Sequence, residues 1–365
     1  MIFQAPPASD RELEVIDEIE AVRKELAGGA HLLREWAGLP WRAARAWRLR
    51  ASTTEGGDVA APPMPDANDP FVAGYQAALT WIIHLIDEPG FVCDEGILRG
   101  LHHLIVGNDL ARSPGCWRRG HVFVRREEGE GDDVVYQGPE GRLVPGLMAE
   151  LVASLNTASD TPPLIRAAVA HLNVSAIHPF LDGNGRMARA VHTLVLARGG
   201  ILAPPFASID EYLSVNSGTY DLALRSTHGG RWRPERDARP FVRFCLTAHF
   251  HQAIALRRRT REYDHLWDEL EGEVKRRGLP DRMVAALAEA AVGRRVTNAM
   301  YRSAAGLSPR TATSDLTRLV AEHLLATSRE DAQPPYVAAD ALKSIHARTR
   351  DPYAIDADPF AGATD

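Results

Sequence analysis

The sequence predicts a mainly α protein with one small β-hairpin and a second, helix-turn-helix domain near its C-terminal end. Apolar residues recur at helical spacing along most of the chain, for example in 71–85 and 94–106. Two short β-prone runs, 121–124 and 134–137, flank a very polar turn and predict the hairpin. After position 281, helical runs are separated by a turn containing glycine, and the next helix is opened by Ser-Pro. This order is typical of a helix-turn-helix.

The composition is that of an ordinary globular protein of two or three domains. Of the 365 residues, 45% are hydrophobic and 25% are charged, and the net charge of −6 argues against a protein that coats nucleic acid generally. The three cysteines lack the spacing of a disulfide framework or a zinc site, which favours a reducing cytoplasm. No membrane partner is expected, because no apolar run approaches the length of a membrane span and the N-terminus lacks a signal-peptide pattern.

The most informative stretch is 176–190, which reads A-I-H-P-F-L-D-G-N-G-R-M-A-R-A. His178 precedes Pro179, and a residue before proline is disfavoured in the α region. The helix predicted over 163–177 should therefore end there. The following loop, 182–185, contains two glycines that allow its amides to turn toward one point beside a helix N-terminus. This arrangement predicts a cradle for an anion.

The charged groups of this stretch suit a substrate that carries phosphate. Arg186 and Arg189 lie three residues apart and offer cationic forks for phosphate oxygens. Asp182 could hold a magnesium ion at the mouth of the loop, and His178 could take a proton from an incoming group. A phosphate cradle with a base and no nucleophile of its own predicts transfer of a phosphate-bearing group to an external hydroxyl.

The letters H-P-F-x-D-G-N-G-R-x-x-R, which begin at His178, resemble the signature of the Fic (Fic/Doc) family at every specified position. The resemblance implies a Fic-type helical bundle core with a small β-hairpin flap. It also implies an activity that moves AMP from ATP onto a Tyr, Ser or Thr of a protein target. On this template His178 is the general base, Asp182 is the Mg2+ ligand and Phe180 is the buried anchor of the loop. The nucleotide-binding residues that it implies here are Gly183, Asn184, Gly185, Arg186 and Arg189.

The branch of the family is indicated by one position of the motif. Doc-type kinases of the family carry Lys where Gly185 stands, so the sequence favours the AMP-transferring branch. Phosphocholine transfer stays open, because members with that activity share the motif.

Residues 51–57, A-S-T-T-E-G-G, read by themselves as a helix end with polar caps and glycine stops. Beside the motif they resemble the inhibitory segment of the family. That resemblance implies that Glu55 pairs with Arg189 in the place of the γ-phosphate. Ala51 stands where Ser or Thr is expected, and Thr54 stands where an apolar residue is usual. A plain helix cap therefore remains the alternative.

Two further segments resemble parts of the family template. The hairpin 121–137 resembles the flap, which clamps the target segment by strand-like main-chain pairing. An edge hairpin without a partner is the alternative. The segment 208–224 resembles the adenine-side segment, with Asn216 and Tyr220 on the matching positions, although Tyr220 fits a core position equally well.

Residues 281–350 resemble the winged-helix segment often found after Fic domains. They carry ten basic and seven acidic side chains, a net charge of +3, against −9 for the rest of the chain. This contrast permits DNA binding without requiring it, since winged helices also serve in protein docking and in dimers. A homodimer therefore stays open.

The predicted domain order consists of an N-terminal helical region (1–70), the catalytic core (71–256), a connecting helix (257–280), the winged helix-turn-helix domain (281–350) and a disordered acidic tail (351–365). Three other activities stay open on the sequence. The first is removal of AMP from a modified protein, with Glu55 positioning a water molecule. The second is transfer of another nucleotide or of phosphocholine. The third is DNA-binding regulation by a protein whose Fic core is silent.

Overall fold

The computed structural model describes residues 1–28, 70–125, 134–202, 206–327, 335–351 and 358–361. Two sequence predictions fall outside these residues, namely the segment 51–57 with Glu55 and the hairpin tip at 126–133. The chain forms two compact units. Of the described residues, the first unit contains 1–23, those from 70 to 253 and 358–361, and the second contains 24–28 and those from 254 to 351.

The first unit is mainly helical, and its helices begin at signals that the sequence carries. Ser9 and Glu12 form a capping box at the first helix, in which each side chain accepts a hydrogen bond from the backbone N–H of the other. Asp94 caps the third helix by accepting from the Ile97 N–H at 2.7 Å. The helices are α1 (Asp10–Gly28, whose last residues belong to the second unit), α2 (Pro70–Asp87), α3 (Glu95–Val106), α4 (Val144–Asn156), α5 (Pro163–Ile177), α6 (Asn184–Arg198), α7 (Asp210–Val215), α8 (Ser217–His228) and the first part of α9 (Arg239–Arg276).

Helices α5 and α6 form the centre of the first unit. They pack along each other, and α2 and α3 pack against α6. Twelve of the 15 residues of each central helix are buried, so both helices are enclosed on nearly all sides. Alanines along both helices allow this close approach. The short connection between α5 and α6 is therefore anchored at both ends in the most buried elements of the unit.

The hairpin forms from β1 (Phe123–Arg125) and β2 (Val134–Gln137), which pair antiparallel with Phe123 opposite Gln137. The outer edge of β2 is already occupied, because the Gln137 N–H donates to the Gly230 carbonyl and its carbonyl accepts from the Trp232 N–H. Within the described residues, the edge that remains for another strand is therefore that of β1.

The second unit contains the remainder of α9 and a compact arrangement of short elements. Gly306 ends the second of its three consecutive short helices in the left-handed region, at φ 61°, and Ser308 caps the next one by accepting from the Thr311 N–H. The elements are α10 (Val284–Ala291), α11 (Asn298–Ala305), α12 (Pro309–Ala321), β3 (Leu325–Thr327), β4 (Tyr336–Ala338) and α13 (Asp340–Thr349). Strands β3 and β4 pair antiparallel, and Val296 adds a bridge to Tyr336.

Four elements differ from the sequence prediction. Strand β1 covers 123–125 rather than 121–124. Helix α6 begins at Asn184, so the loop expected over 182–185 is two residues shorter. Helix α9 continues past Leu256 as one helix of 38 residues, because neither proline nor glycine interrupts 241–271. Helix α12 ends at Ala321 rather than near 325, since a turn there leads into β3.

Residues 358–361, which lie in the predicted tail, include a turn whose Pro359 carbonyl accepts from the Arg11 guanidinium at 2.6 Å. Among the described helices, none combines the length and the apolar character that crossing a bilayer requires.

Candidate active site

His178 lies immediately after α5 and closes its last turn. Its N–H donates to the Val174 carbonyl at 3.0 Å, and its backbone is left-handed, with φ 51° and ψ 61°. Pro179 prevents the helix from continuing, as the sequence predicted. The half-buried imidazole has its Nδ1 at 3.4 Å from the Ser175 carbonyl. When Nδ1 carries the proton for this weak contact, Nε2 is the nitrogen that can accept another.

The protonation state of His178 follows from its surroundings. The pKa of His178 is lowered from 6.5 to about 4, chiefly by burial and to a smaller extent by the nearby Arg118 guanidinium, whereas the Ser175 carbonyl and the Asp182 carboxylate act in the opposite direction. The imidazole is therefore neutral at physiological pH. A neutral imidazole is the form that a general base requires.

The loop between α5 and α6 is supported by two uncharged rings, those of Phe180 and His102. Phe180 is fully buried, as the family resemblance implies, and its ring stacks on His102 with centroids 3.6 Å apart. The His102 Nδ1 accepts from the Gly115 N–H at 2.9 Å, which leaves Nε2–H to donate to the Asp182 carbonyl at 2.9 Å. His102 thus supports the loop at two places, a role that its sequence position did not reveal.

The Asn184 side chain closes the same loop. Its Oδ1 accepts from the Phe180 N–H at 2.9 Å and its Nδ2 donates to the Phe180 carbonyl at 3.0 Å. Asn184 is buried, so its side chain shapes the loop, and its backbone amide is the group that could meet a phosphate.

The start of α6 offers backbone donors. The first bond inside the helix is donated by Met187 N–H to the Gly183 carbonyl, so the amides of Asn184 and Gly185 have no acceptor within the helix. Gly183 has φ 75°, and a Cβ there would lie 2.7 Å from Val106 Cγ1. Only glycine fits this position. At Gly185, by contrast, a Cβ would meet only Arg189 Nη1, at 3.7 Å.

Arg189 is oriented by a carboxylate that the sequence did not indicate. Its Nε lies 2.7 Å from Oδ1 of Asp210, which is fully buried at the start of α7. Asp210 also accepts from the Tyr75 hydroxyl at 3.1 Å and from the Ser208 hydroxyl at 2.5 Å. An aspartate in the first turn of a helix usually serves the helix terminus, so no local pattern predicts this pairing. Arg186, the other motif arginine, is 9% exposed.

Asp182 stands at the mouth of the loop with 41% of its side chain exposed. Its Oδ1 accepts from the Gly183 N–H at 2.6 Å, and its Oδ2 pairs with Arg112, whose Nε also contacts Asp109 at 3.0 Å. Among the described residues no cluster of three or more His, Cys, Asp or Glu could hold a metal ion.

The two residues expected on the adenine side lie at the junction of α7 and α8. Asn216 donates through Nδ2 to the Tyr212 carbonyl at 2.9 Å. The Tyr220 hydroxyl contacts His171 Nε2 at 3.1 Å and Ser175 Oγ at 3.3 Å, and burial raises the pKa of Tyr220 to about 12. Tyr220 is half-buried, and its adenine-side role stays a prediction.

The comparison with protein families supports the identity of this region. The model of the Fic/DOC family matches residues 93–196, which include the hairpin, α5, the loop and all but the last two residues of α6. The chain is 30% identical over 177 residues to the protein adenylyltransferase fic-1 of Caenorhabditis elegans, an alignment that covers 47% of this chain and 30% of the relative. It is 32% identical over 146 residues to the protein adenylyltransferase Fic of Drosophila willistoni, covering 40% of this chain and 25% of that protein.

These alignments span only about a quarter to a third of the relatives' length. A likeness in fold extends further. A crystal structure of a Fic family protein from Desulfovibrio desulfuricans G20 superposes with a TM-score of 0.52 and 21% identity, covering 93% of this chain and 99% of the other. The motif, its geometry and these matches lead to one conclusion: the chain contains a Fic/DOC family domain, matched over residues 93–196.

Proposed function

We propose that this protein transfers AMP from ATP to the hydroxyl group of a Tyr, Ser or Thr side chain on a protein target. The observation that carries the proposal is the state of His178. This histidine is neutral and fixed at the end of α5, and six residues later α6 begins with amides and arginines suited to phosphate. The relatives named protein adenylyltransferase support the same reaction.

In the proposed reaction, His178 Nε2 accepts the proton of the target hydroxyl as the hydroxyl oxygen attacks the α-phosphorus of ATP. A bond forms between that oxygen and the α-phosphorus, and the bond to the bridging oxygen breaks. Pyrophosphate leaves with the electron pair. The first-turn amides of α6 hold the α-phosphate, and Arg186 and Arg189 stabilise the charge on the departing phosphates.

Asp182 is the residue that would hold Mg2+ together with phosphate oxygens of ATP. A partly exposed carboxylate is a suitable oxygen ligand for this ion, which usually keeps few protein ligands beside substrate phosphates. When bound, the ion supplies positive charge against the phosphates. Arg112 occupies one oxygen of Asp182 in the structure, so the Asp182–Arg112 pair would rearrange as the ion binds.

The target segment is proposed to dock on the hairpin 121–137 by adding a strand. The edge of β2 is taken by residues 230–232, which directs the target to β1. Phe123 on β1 is 45% exposed and offers apolar surface to such a segment.

Glu55 is proposed to restrain the reaction by pairing with Arg189. Because Asp210 already holds Nε of Arg189, Glu55 or the γ-phosphate would approach the guanidinium through its Nη nitrogens. Competition between the two anions for the same nitrogens would form the brake.

The experiment is incubation of wild type, His178→Ala and Glu55→Gly with ATP and Mg2+, followed by intact-mass measurement over time. We expect a gain of one AMP per modified site, faster in Glu55→Gly and slower by about 10²–10⁴-fold in His178→Ala. An unchanged rate in His178→Ala would reject this histidine as the base. An unchanged or lower rate in a folded Glu55→Gly protein would reject the brake.

A panel of other donors distinguishes the neighbouring reactions. Gain of a different nucleotide or of phosphocholine would reassign the donor, and release of AMP from a premodified protein would favour the reverse reaction, with Glu55 positioning a water molecule. Binding of DNA without any group transfer would favour a regulator with a silent Fic core.

We also propose that residues 281–350 form a winged helix-turn-helix module. The order of α10, the bridge at Val296, α11, α12 and the β3–β4 hairpin supports it, as does the glycine turn at Gly306. The exposed face of α12 carries Arg310, Thr313, Ser314, Thr317 and Arg318.

That exposed face suits either the DNA major groove or a protein surface, including a second copy of this chain. Filter binding of mixed duplex DNA to the full chain and to Arg310→Glu distinguishes DNA binding from protein docking. Retention that is lost in the variant supports DNA binding. Absence of retention in both proteins supports protein docking.

A further inference from the structure

The carbonyl groups at the end of α5 show how the backbone around His178 is held. The last four carbonyls of a helix lack partners inside the helix, and here they belong to residues 174–177. His178 satisfies the first through its own N–H and contacts the second through Nδ1. The remaining two receive hydrogen bonds from residues outside the helix.

Those donors come from the hairpin and from the residue that leads into it. The Tyr136 hydroxyl, on β2, donates to the Ala176 carbonyl at 2.7 Å. Arg118 donates from Nη2 to the Ile177 carbonyl at 3.1 Å and from Nε to the His178 carbonyl at 2.7 Å. The Arg118 backbone N–H also donates to the Pro179 carbonyl at 2.8 Å.

The same guanidinium reaches both sides of the hairpin stem. Its Nη1 donates to the Gly120 carbonyl at 2.6 Å, before β1, and its Nη2 donates to the Pro139 carbonyl at 2.7 Å, after β2. Arg118 is 8% exposed, and the acceptors of these bonds are backbone carbonyls rather than a carboxylate. A cation in this position also complements the negative end of the α5 dipole.

The backbone is tightly constrained on both sides of Arg118, at the hairpin stem and at His178. A Cβ at Gly138 would lie 2.6 Å from Val122 Cγ1 and 3.3 Å from Arg118 Nη2, so the stem backbone lies directly against the guanidinium. On the other side, the left-handed backbone of His178 is unfavourable for a residue that is not glycine. The bonds to the carbonyls of residues 177–179 offset that cost.

We propose that Arg118 is a positioning residue that joins the backbone of His178 to the stem of the hairpin. Arg118 would then keep a constant distance and orientation between a target segment docked on β1 and the base that deprotonates its hydroxyl. This inference rests on the proposed function for its catalytic consequence, but the mechanical link between the two segments can be measured without any activity.

The test uses the full chain as wild type, Arg118→Ala, Arg118→Lys and, as the matched control, Arg119→Ala, which removes the exposed neighbour. Amide hydrogen exchange by mass spectrometry follows residues 176–180 and the stem at 120–123 and 137–139. We expect Arg118→Ala to increase exchange in both segments together while exchange in α6 stays unchanged. The exchange rate of Arg118→Lys should lie between those of wild type and Arg118→Ala, because an ammonium keeps the charge but lacks the planar fork.

The kinetic readout is the rate of AMP incorporation. Misplacing a catalytic group by about 1 Å costs about 10²-fold, so kcat should fall by about that factor in Arg118→Ala, with little change in KM for ATP. Arg119→Ala should keep wild-type kcat and exchange.

Three outcomes would overturn the inference. They are increased exchange in one segment alone, unchanged exchange in both, and increased exchange in both with an unchanged kcat. Absence of AMP transfer in both the wild type and Glu55→Gly would reject the proposed function, yet the exchange data would still show whether Arg118 joins the two segments. Should Arg118→Ala fail to fold, Arg118→Lys provides the same comparison.

Discussion

The two compact units differ in the imidazoles that they bury, because every buried histidine among the described residues belongs to the first unit. The first unit surrounds its motif with neutral imidazoles, whereas the polar centre of the second unit is a carboxylate, Asp315. Asp315 is 4% exposed, accepts two bonds from the Arg282 guanidinium at 2.7 and 2.9 Å and accepts one from the Tyr301 hydroxyl at 3.0 Å. In the first unit, Phe180 and the loop rest on His102, which burial keeps neutral. The base His178 thus lies in a unit that is rich in buried neutral imidazoles and also buries the Asp210–Arg189 pair, while the second unit joins helices through Asp315 and Arg282.

Acidification should produce the largest difference in stability between the two units. The first unit contains six histidines whose pKa is lowered by burial, with values of about 3 to 4 where they are resolved; they are His102, His171, His178, His192, His228 and His249. Among the described residues of the second unit, only His346 has a lowered histidine pKa.

The sign of the acid effect follows from linkage. Each folded pKa lies below the ordinary 6.5, so the unfolded chain binds protons first as the pH falls. The stability contributed by the neutral rings is complete above pH 6.5 and is lost progressively toward pH 4. We expect the first unit to lose more unfolding free energy than the second between about pH 7 and about pH 5.

The measurement is peroxide oxidation of buried methionines against urea, read peptide by peptide by mass spectrometry. Met187 reports the first unit and Met283 reports the second, since each is at most 1% exposed. Equal shifts of both midpoints on acidification would contradict the expectation.

Removing His102 should have the next largest effect. His102→Ala deletes the stacking on Phe180 and the bond to the Asp182 carbonyl, so the loop that carries Asp182 and Gly183 loses its support. We expect kcat/KM for AMP transfer to fall by about 10²-fold. His103→Ala, which changes the exposed neighbour on α3, is the control and should behave as wild type. Equal rates in the two variants would show that the loop does not depend on His102.

Asp315→Ala should destabilise the second unit by about 2–3 kcal/mol, because it removes a buried acceptor of charged and neutral hydrogen bonds. The urea midpoint of Met283 oxidation should fall while that of Met187 stays in place. Asp340→Ala changes a carboxylate that is 98% exposed and should move neither midpoint. A parallel fall at Met187 in Asp315→Ala would mean that the two units unfold together.

The smallest expected effects come from two glycines of the motif and have opposite signs. Gly183→Ala should cost about 1–2 kcal/mol or more, because φ is positive and the new methyl group meets Val106. Gly185→Ala should stabilise α6 by up to about 1 kcal/mol, since the position is open and alanine favours a helix. The urea midpoint at Met187 measures both variants. Destabilisation by Gly185→Ala would show that its surroundings are tighter than the structure indicates.

The sequence by itself determined the local features of this protein. The bounds of α5, the break at His178-Pro179 and the hairpin follow from residues adjacent in the chain, because helix breaks and alternation act over a few residues. The buried anchor Phe180 was implied by the family resemblance of the motif. The continuity of α9 and the early start of α6 were missed, since polar or glycine-rich composition favours a boundary without requiring one.

Only the tertiary structure decided which side chains support the site. Arg118 is 60 residues from His178, His102 is 80 residues from Asp182, and Arg189 pairs with Asp210 on another helix. The tertiary structure also brings the Tyr220 hydroxyl into contact with His171 and Ser175. These pairings depend on how α2, α3, the hairpin and α7 pack around α5 and α6. Burial then sets the pKa of His178, because the cost of charging an imidazole depends on everything that displaces water from around it.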